Sequence, residues 1–187
     1  KEAGVSAVQV VFTQLHAGGK FDNKNYSFSG GLHGVGAAVT NALSEWLKVE
    51  IYKGTVYQME FHSYYSEEKK KVISGEPIGA LKNTRKKTDK QGTYVRFKPD
   101  PEIFEETVFD YNILLTRMRE QAFLNAGVKI ILTDTREGCE REEILHYEGG
   151  IISFVEYLNN EKRGAPIHND VIYMKGERDN SIAEVAM

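Results

Sequence analysis

Cysteine is nearly absent from this chain: Cys139 is the single one among 187 residues. That excludes an internal disulfide and fits a reducing compartment, most simply the cytoplasm. Long apolar runs are missing too. Nothing approaches the roughly 20 residues of a membrane span, and the N-terminus lacks a signal-peptide pattern, so no membrane role is expected. Neither sign of charge is in excess, with 24 basic residues against 27 acidic ones and a net charge of -3. A global basic signature for nucleic acid is therefore lacking. There is no methionine at Lys1 and a helix signal follows almost at once, which reads as a piece of something longer. What the chain does hold is 41% hydrophobic and 11% aromatic residues, enough for one well-packed core. One domain is the natural count, with two small ones as the alternative. No internal repeat is apparent.

Secondary-structure signals alternate along the chain. Ser6-Ala7-Val8-Gln9 forms a capping box, and Val8, Val11, Phe12 and Leu15 then make one apolar stripe at helical spacing. Gly18-Gly19 stops that helix. Lys20 to Ser29, "KFDNKNYSFS", is polar and turn-rich, and the reading is a loop. A second helix is predicted from about Val35 to Leu47, with Val35, Val39, Ala42, Leu43 and Trp46 on one face. The period then changes to two: Val49 and Ile51 alternate with charge, Val56–Phe61 is a partner strand, and Gly54 sits at the turn between them. The region of about 66–91 is a charged hairpin with few apolar residues. Thr93–Phe97 is another strand, closed by Pro99. Further along come a helix over Tyr111–Asn125, strands at Val128–Leu132 and Ile144–Tyr147, and a helix over Ile151–Leu158. Strands near Val171–Met174 and Ile182–Val185 finish the chain. Consecutive hairpins with interspersed helices predict an α+β two-layer sandwich, a mostly antiparallel sheet with helices on one face.

The stretch "SGGLHGVGAAVTNALS", Ser29–Ser44, places four glycines in seven residues ahead of an apolar run. Two familiar phosphate loops fail here. A P-loop needs a Lys directly after the second glycine of G-x-x-x-x-G, and Gly31 and Gly36 are followed by Ala37 and Ala38. The dinucleotide fingerprint needs a third glycine where Val39 stands. An anion site survives both failures, because the loop feeds a helix start with unpaired N–H groups and a positive dipole end. A glycine-rich hairpin capping a buried helix is the alternative. The glycine density favours the anion site.

"LHAGGKF" (Leu15–Phe21), a short polar loop, and then "SGGLHGVGAAVTNALS" closely resemble the ATPase region of the bacterial type IIA topoisomerase B subunits, within the GHKL superfamily. "QGTYVRFKPDPEIF" (Gln91–Phe104), "RMREQAFLNAGVKIILTD" (Arg117–Asp134), "HYEGGIISFVEYLN" (His146–Asn159) and "APIHNDVIY" (Ala165–Tyr173) follow in the family's order. The resemblance covers practically the whole chain. It implies a GHKL (Bergerat-type) ATPase fold, here incomplete, as a single domain over residues 1–187 with an ATP lid at about 18–36. The "YEGGI…VEYLN" segment argues against other GHKL members such as a MutL-type protein or a histidine kinase.

Carried over, the resemblance implies that Gly31, Leu32, His33, Gly34, Val35 and Gly36 wrap a triphosphate through backbone amides, with Ala37 starting the helix. Lys20 would contact phosphate. Tyr26 would reach the adenine, Thr93 would stand near it, and Val11 and Val95 would offer the base apolar contact. Lys53 would replace an arginine at the pocket's outer edge. The family's general-base Glu, magnesium-binding Asn and adenine-binding Asp fall on segments expected to precede Lys1, and the later transducer lysine falls past Met187. No catalytic or metal residue is therefore assigned in this chain, and the chain alone is predicted inactive. The cofactors implied are ATP and Mg2+. The implied partners are a gyrase A or topoisomerase IV A subunit, double-stranded DNA through the parent complex, and a second copy of the ATPase-bearing chain on ATP binding. The parent would be an ATP-dependent topoisomerase of the cytoplasm. The rival is a non-catalytic GHKL-like domain that binds nucleotide or protein. Between Lys82 and Lys90, five basic residues with Asp89 fit either a solvated hairpin face, the commoner meaning, or a DNA contact.

Overall fold

The Ser6 hydroxyl accepts from the amide of Gln9 at 3.2 Å, and this cap opens α1, Ala7–Thr13. The helix ends before Leu15, which is 59% exposed. The computed structural model describes residues 4–17, 33–161, 167–168, 170–178 and 181–187. It divides into two compact units, Lys1–Val108 and Phe109–Met187.

In the first unit α2 covers Gly36–Ala42 only, shorter than the helix expected to Leu47. Ser44 already belongs to β1, Ser44–Ser66, because Ser44 and Trp46 to Leu47 pair with Phe97 to Pro99. Ser44 marks the change by donating its hydroxyl to the Thr40 carbonyl at 2.6 Å, a bond that competes with helix continuation. β2 (Lys71–Pro77) and β3 (Lys82–Pro99) flank β1 in a three-stranded antiparallel sheet of order β2-β1-β3. β2 pairs with Phe61–Ser66 of β1, while β3 pairs with Ser44–Lys53 and again with Thr55–Gln58.

β1 does not run straight. Lys48 Nζ meets Glu60 Oε1 at 3.1 Å, Gln58 Nε2 meets Glu50 Oε1 at 2.6 Å, and Ser63 Oγ donates to the Ser44 carbonyl at 2.7 Å. A straight strand rises about 3.3 Å per residue and would hold those partners far apart. The ribbon therefore folds back at Gly54, whose φ of 71° is a glycine conformation. This is the turn the period-two pattern placed there. The fold-back brings Leu47, Val49, Met59 and Phe61 into one buried cluster, with Val8 and Phe12 of α1 packed against it.

The second unit begins with α3, Tyr111–Leu124, whose cap Asp110 accepts from the Ile113 amide at 2.9 Å. β4 (Lys129–Asp134) and β5 (Arg141–His146) form one antiparallel pair; β6 (Tyr173–Arg178) and β7 (Ser181–Ala186) form another. α4 spans Ile151–Glu161. Phe123 is the centre of this unit, with Tyr147, Phe154 and Tyr157 rings at 3.7, 4.9 and 5.5 Å. The class is α+β with antiparallel pairing, as the sequence pattern predicts, although the described strands divide among three sheets rather than one.

Candidate functional site

Lys20, Tyr26, Gly31 and Leu32 lie outside the described residues, as does most of the expected lid. The loop's exit is described. His33 is exposed, and its carbonyl meets His16 Nδ1 at 3.1 Å. Gly34 follows with φ 61°. That left-handed turn costs a residue with a Cβ roughly 1–2 kcal/mol, so one glycine of the cluster is required by conformation alone. Val35 is the N-cap of α2 and, being apolar, places no side-chain acceptor on the first amides of Gly36 and Ala37. Those amides belong to the orphan donors of a helix start. Gly36 has an ordinary backbone, and a Cβ built on it meets nothing within 4 Å. Whatever requires glycine there is not a neighbour among the described residues.

Thr93 and Val95 stand on β3 opposite Ile51 and Val49. Directly opposed residues share a sheet face, so both lie on the face that carries the buried cluster. Val95 remains 42% exposed there and Val11, on α1, 41%. These are apolar surfaces the unit leaves partly open. Lys53 is exposed at the ribbon tip beside Gly54 and pairs with Gln91. Lys53 is thus placed at the end of the ribbon, while Thr93 and Val95 line its face. No hydrogen bond or ion pair among the described residues joins the His33–Ala37 turn to Thr93 or Val95.

Behind α2 lies a residue to which the sequence pattern gave no role. Asn41 is 2% exposed, and its Nδ2 donates to the carbonyls of Phe12 and Gly75, both at 2.9 Å. One amide thereby ties the ends of α1 and β2 to the helix that follows the glycine loop. Its Oδ1 has no partner among the described residues. A polar residue on the buried side of a helix was the signal available. Among the described residues no group of three or more His, Cys, Asp or Glu gathers to hold a metal, and the magnesium ligand is assigned to no described residue.

The sequence of this chain is 50% identical over 188 residues to the DNA gyrase B subunit of Streptococcus pyogenes, a match covering 100% of the chain and 27% of that protein. Along its whole length the chain is homologous to type IIA topoisomerase B subunits. It is also 46% identical to the DNA topoisomerase 4 B subunit of Enterococcus faecalis, over 98% of the chain and 25% of that protein. The type 2 topoisomerase B subunit of Aquifex aeolicus is 46% identical over 99% of the chain and 22% of its own length. The chain spans about a quarter of the length of these B-subunit relatives. The crystal structure of the 43K ATPase domain of Thermus thermophilus gyrase B, in complex with an aminocoumarin, matches with a TM-score of 0.71 at 31% identity. That match covers 99% of this chain and 43% of the other. No protein-family profile matches the chain. The B-subunit motifs read from the sequence thus coincide with relatives that match along the whole chain, and the α+β fold is that of a B-subunit ATPase domain.

Proposed function

We propose that this chain is the nucleotide-binding part of a type IIA topoisomerase B subunit, in which ATP binding drives closure of the paired subunits during DNA strand passage. The whole-chain match at 50% identity carries the reading. Residues 1–187 are read as a piece of one ATPase domain, with the lid at about 18–36. The backbone of Gly31–Ala37 would hold the phosphates and Lys20 would pair with them. The left-handed Gly34 and the uncapped first turn of α2 support this, since no side chain caps the helix's first amides. Tyr26, Thr93, Val11 and Val95 would meet the base, and Lys53 would edge the pocket. When bound, the nucleotide supplies the anhydride bond, while these residues bind and orient it. The A subunit, duplex DNA and a second B subunit are the proposed partners, in the cytoplasm. Among the described residues no helix is long and apolar enough to cross a membrane.

The test is calorimetry with a non-hydrolysable ATP analogue on the full-length protein containing this chain. Gly36→Val should nearly abolish binding while leaving stability close to wild type, because the space its side chain enters is open among the described residues. His33→Ala keeps every amide and should bind almost normally. Lys20→Ala should weaken binding at least tenfold, the loss of a charge-assisted hydrogen bond worth about 1.5–3 kcal/mol, and Lys53→Ala less. If His33→Ala is the most damaging of these changes, the imidazole is the working group and the backbone cradle is wrong.

A further inference from the structure

The first part of β3 concentrates charge of one sign on a chain that is acidic as a whole. Lys82, Arg85, Lys86, Lys87 and Lys90 are all exposed, and none is ion-paired with a carboxylate among the described residues. Only Asp89 offsets them within the segment. Glu50, the carboxylate whose field includes Lys86, is already engaged: the Tyr52 hydroxyl and the Gln58 amide beside it hold its carboxyl below the usual range. The rest of the chain must be more acidic than its net charge of -3.

These cations are held on an ordered ribbon. Lys87 pairs with Thr55 and Lys82 with Gln58, across from the Gly54 fold-back. The Asn83 carboxamide accepts from the Arg85 amide at 2.8 Å, Thr84 Oγ1 from the Lys86 amide at 3.3 Å, and Thr88 Oγ1 from the Lys90 amide at 3.1 Å. Thr84 also donates to the Val56 carbonyl at 2.7 Å, which ties this stretch to β1. Arg85 is held at φ 60°, a conformation rare for a residue with a Cβ. Lys53 adds a further exposed cation at the tip.

The composition selects the class of partner. "KNTRKKTDK" holds no apolar residue, so it lacks the buried centre that protein interfaces build. It holds no aromatic residue, so it offers no stacking platform for unpaired bases. Asn83, the residue of the segment best suited to read a base edge, is spent on the Arg85 amide. What remains is a row of cations suited to phosphates and indifferent to sequence.

We propose that the Lys82–Lys90 ribbon is a sequence-independent contact for the phosphate backbone of double-stranded DNA. That the polyanion is a duplex rests on the proposed function above; that the ribbon binds phosphates does not. Such a contact would hold a DNA segment against this face without specifying it, and it would weaken steeply with salt.

The experiment is fluorescence anisotropy of a labelled 20-base-pair duplex against the full-length protein at 50 to 200 mM salt, with ATP-analogue affinity measured in the same preparations. A variant with Lys82, Arg85, Lys86, Lys87 and Lys90 each changed to Gln should bind the duplex more weakly. Its slope of log affinity against log salt should become shallower by about 4.5, close to 0.9 for each of five phosphates released. The control changes Lys69, Lys70 and Lys71 to Gln. Those residues lie at the opposite end of the ribbon, beside Glu67 and Glu68, and the control should leave the slope nearly unchanged. Two single variants, Lys86→Gln and Lys87→Gln, should each lower the slope by about 1, which covers the case in which the fivefold variant fails to fold. An unchanged slope in the two single variants, or an equal loss in the control, overturns the proposal. Lost duplex affinity with normal nucleotide affinity supports it. If wild type binds the duplex through these residues but binds no nucleotide, the contact stands and the proposed ATP function falls. Equal displacement of the duplex by single-stranded DNA of the same length overturns the duplex assignment.

Discussion

The two units build their interiors from different materials. In Lys1–Val108 the core is a fold-back of one ribbon: Leu47 and Val49 from one arm close on Met59 and Phe61 from the other, under Val8 and Phe12. In Phe109–Met187 a single ring, Phe123, is stacked on by Tyr147 and Phe154 and tilted against Tyr157. The first spreads its stability over several aliphatic contacts, one Phe12–Phe61 ring pair at 5.7 Å and one glycine turn. The second gathers its aromatic contacts around one side chain, beside the buried Ala122, Leu132 and Leu145. The first unit also leaves apolar and cationic surface open along β3, while the second gathers one charged cluster around Asp134. Asp134 holds Arg136 and lies 3.9 Å from Arg141, and Arg141 stacks over Tyr111 at 3.6 Å.

The largest effect is expected where the aromatic contacts gather. Phe123→Ala should cost the second unit about 3–5 kcal/mol. The chain has a single tryptophan, Trp46 in the first unit, so tryptophan fluorescence during urea unfolding reports that unit while tyrosine signals report both. Phe123→Ala should shift the tyrosine transition and leave the Trp46 transition nearly in place. Equal shifts in both would mean that the units do not unfold separately, and the contrast between them would fail.

The first unit should be most sensitive at its polar tie. Asn41→Ala removes the donor from two carbonyls at once and should cost about 2–3 kcal/mol, since each group left without a partner carries a desolvation penalty. Asn41→Asp should not rescue it, because a carboxylate cannot donate. Gly75→Ala strikes the same tie from the other side: φ is 59°, and a Cβ there lies 2.6 Å from Asn41 Nδ2. Urea midpoints followed at Trp46 measure all three. If Asn41→Ala is neutral, the interior of the first unit is apolar packing alone.

A smaller effect belongs to the glycine loop's exit. Gly34→Ala should cost roughly 1 kcal/mol from its left-handed backbone, whereas Gly36→Ala, with an ordinary backbone and open space, should cost less. Reversed costs in thermal unfolding would misplace the strained glycine.

The smallest is a pH effect confined to the second unit. Arg136 beside Asp134 holds that carboxyl at about 2, below the value near 3.9 of an unfolded aspartate. The ionised form is therefore favoured by the native state. Its contribution is complete above about pH 4 and is lost as pH falls through about 2. The tyrosine-reported midpoint of wild type should drop more between pH 4.5 and 2.5 than that of Asp134→Asn. Parallel curves would deny Asp134 that role.

Much of this molecule is legible in its amino-acid order because the chemistry involved is local. The Ser6 cap, the α3 helix and the Gly54 turn depend on residues within a few positions of one another, and each stands where its pattern placed it. The motif order carried the family as well, because long words of sequence survive where several backbone and side-chain roles coincide. Other features depend on partners far along the chain. Ser44–Leu47 is compatible with helix by period, and it became strand because Phe97–Pro99 offered it a ladder of hydrogen bonds. Of the clustered glycines, Gly34 takes a left-handed backbone and Gly36 an ordinary one, a difference set by how the chain enters α2. Asn41 became the tie between α1 and β2 only once the carbonyls of Phe12 and Gly75 arrived on either side of it. Periodicity records which face of an element is apolar; which distant groups meet that face is set by the packing of the whole unit.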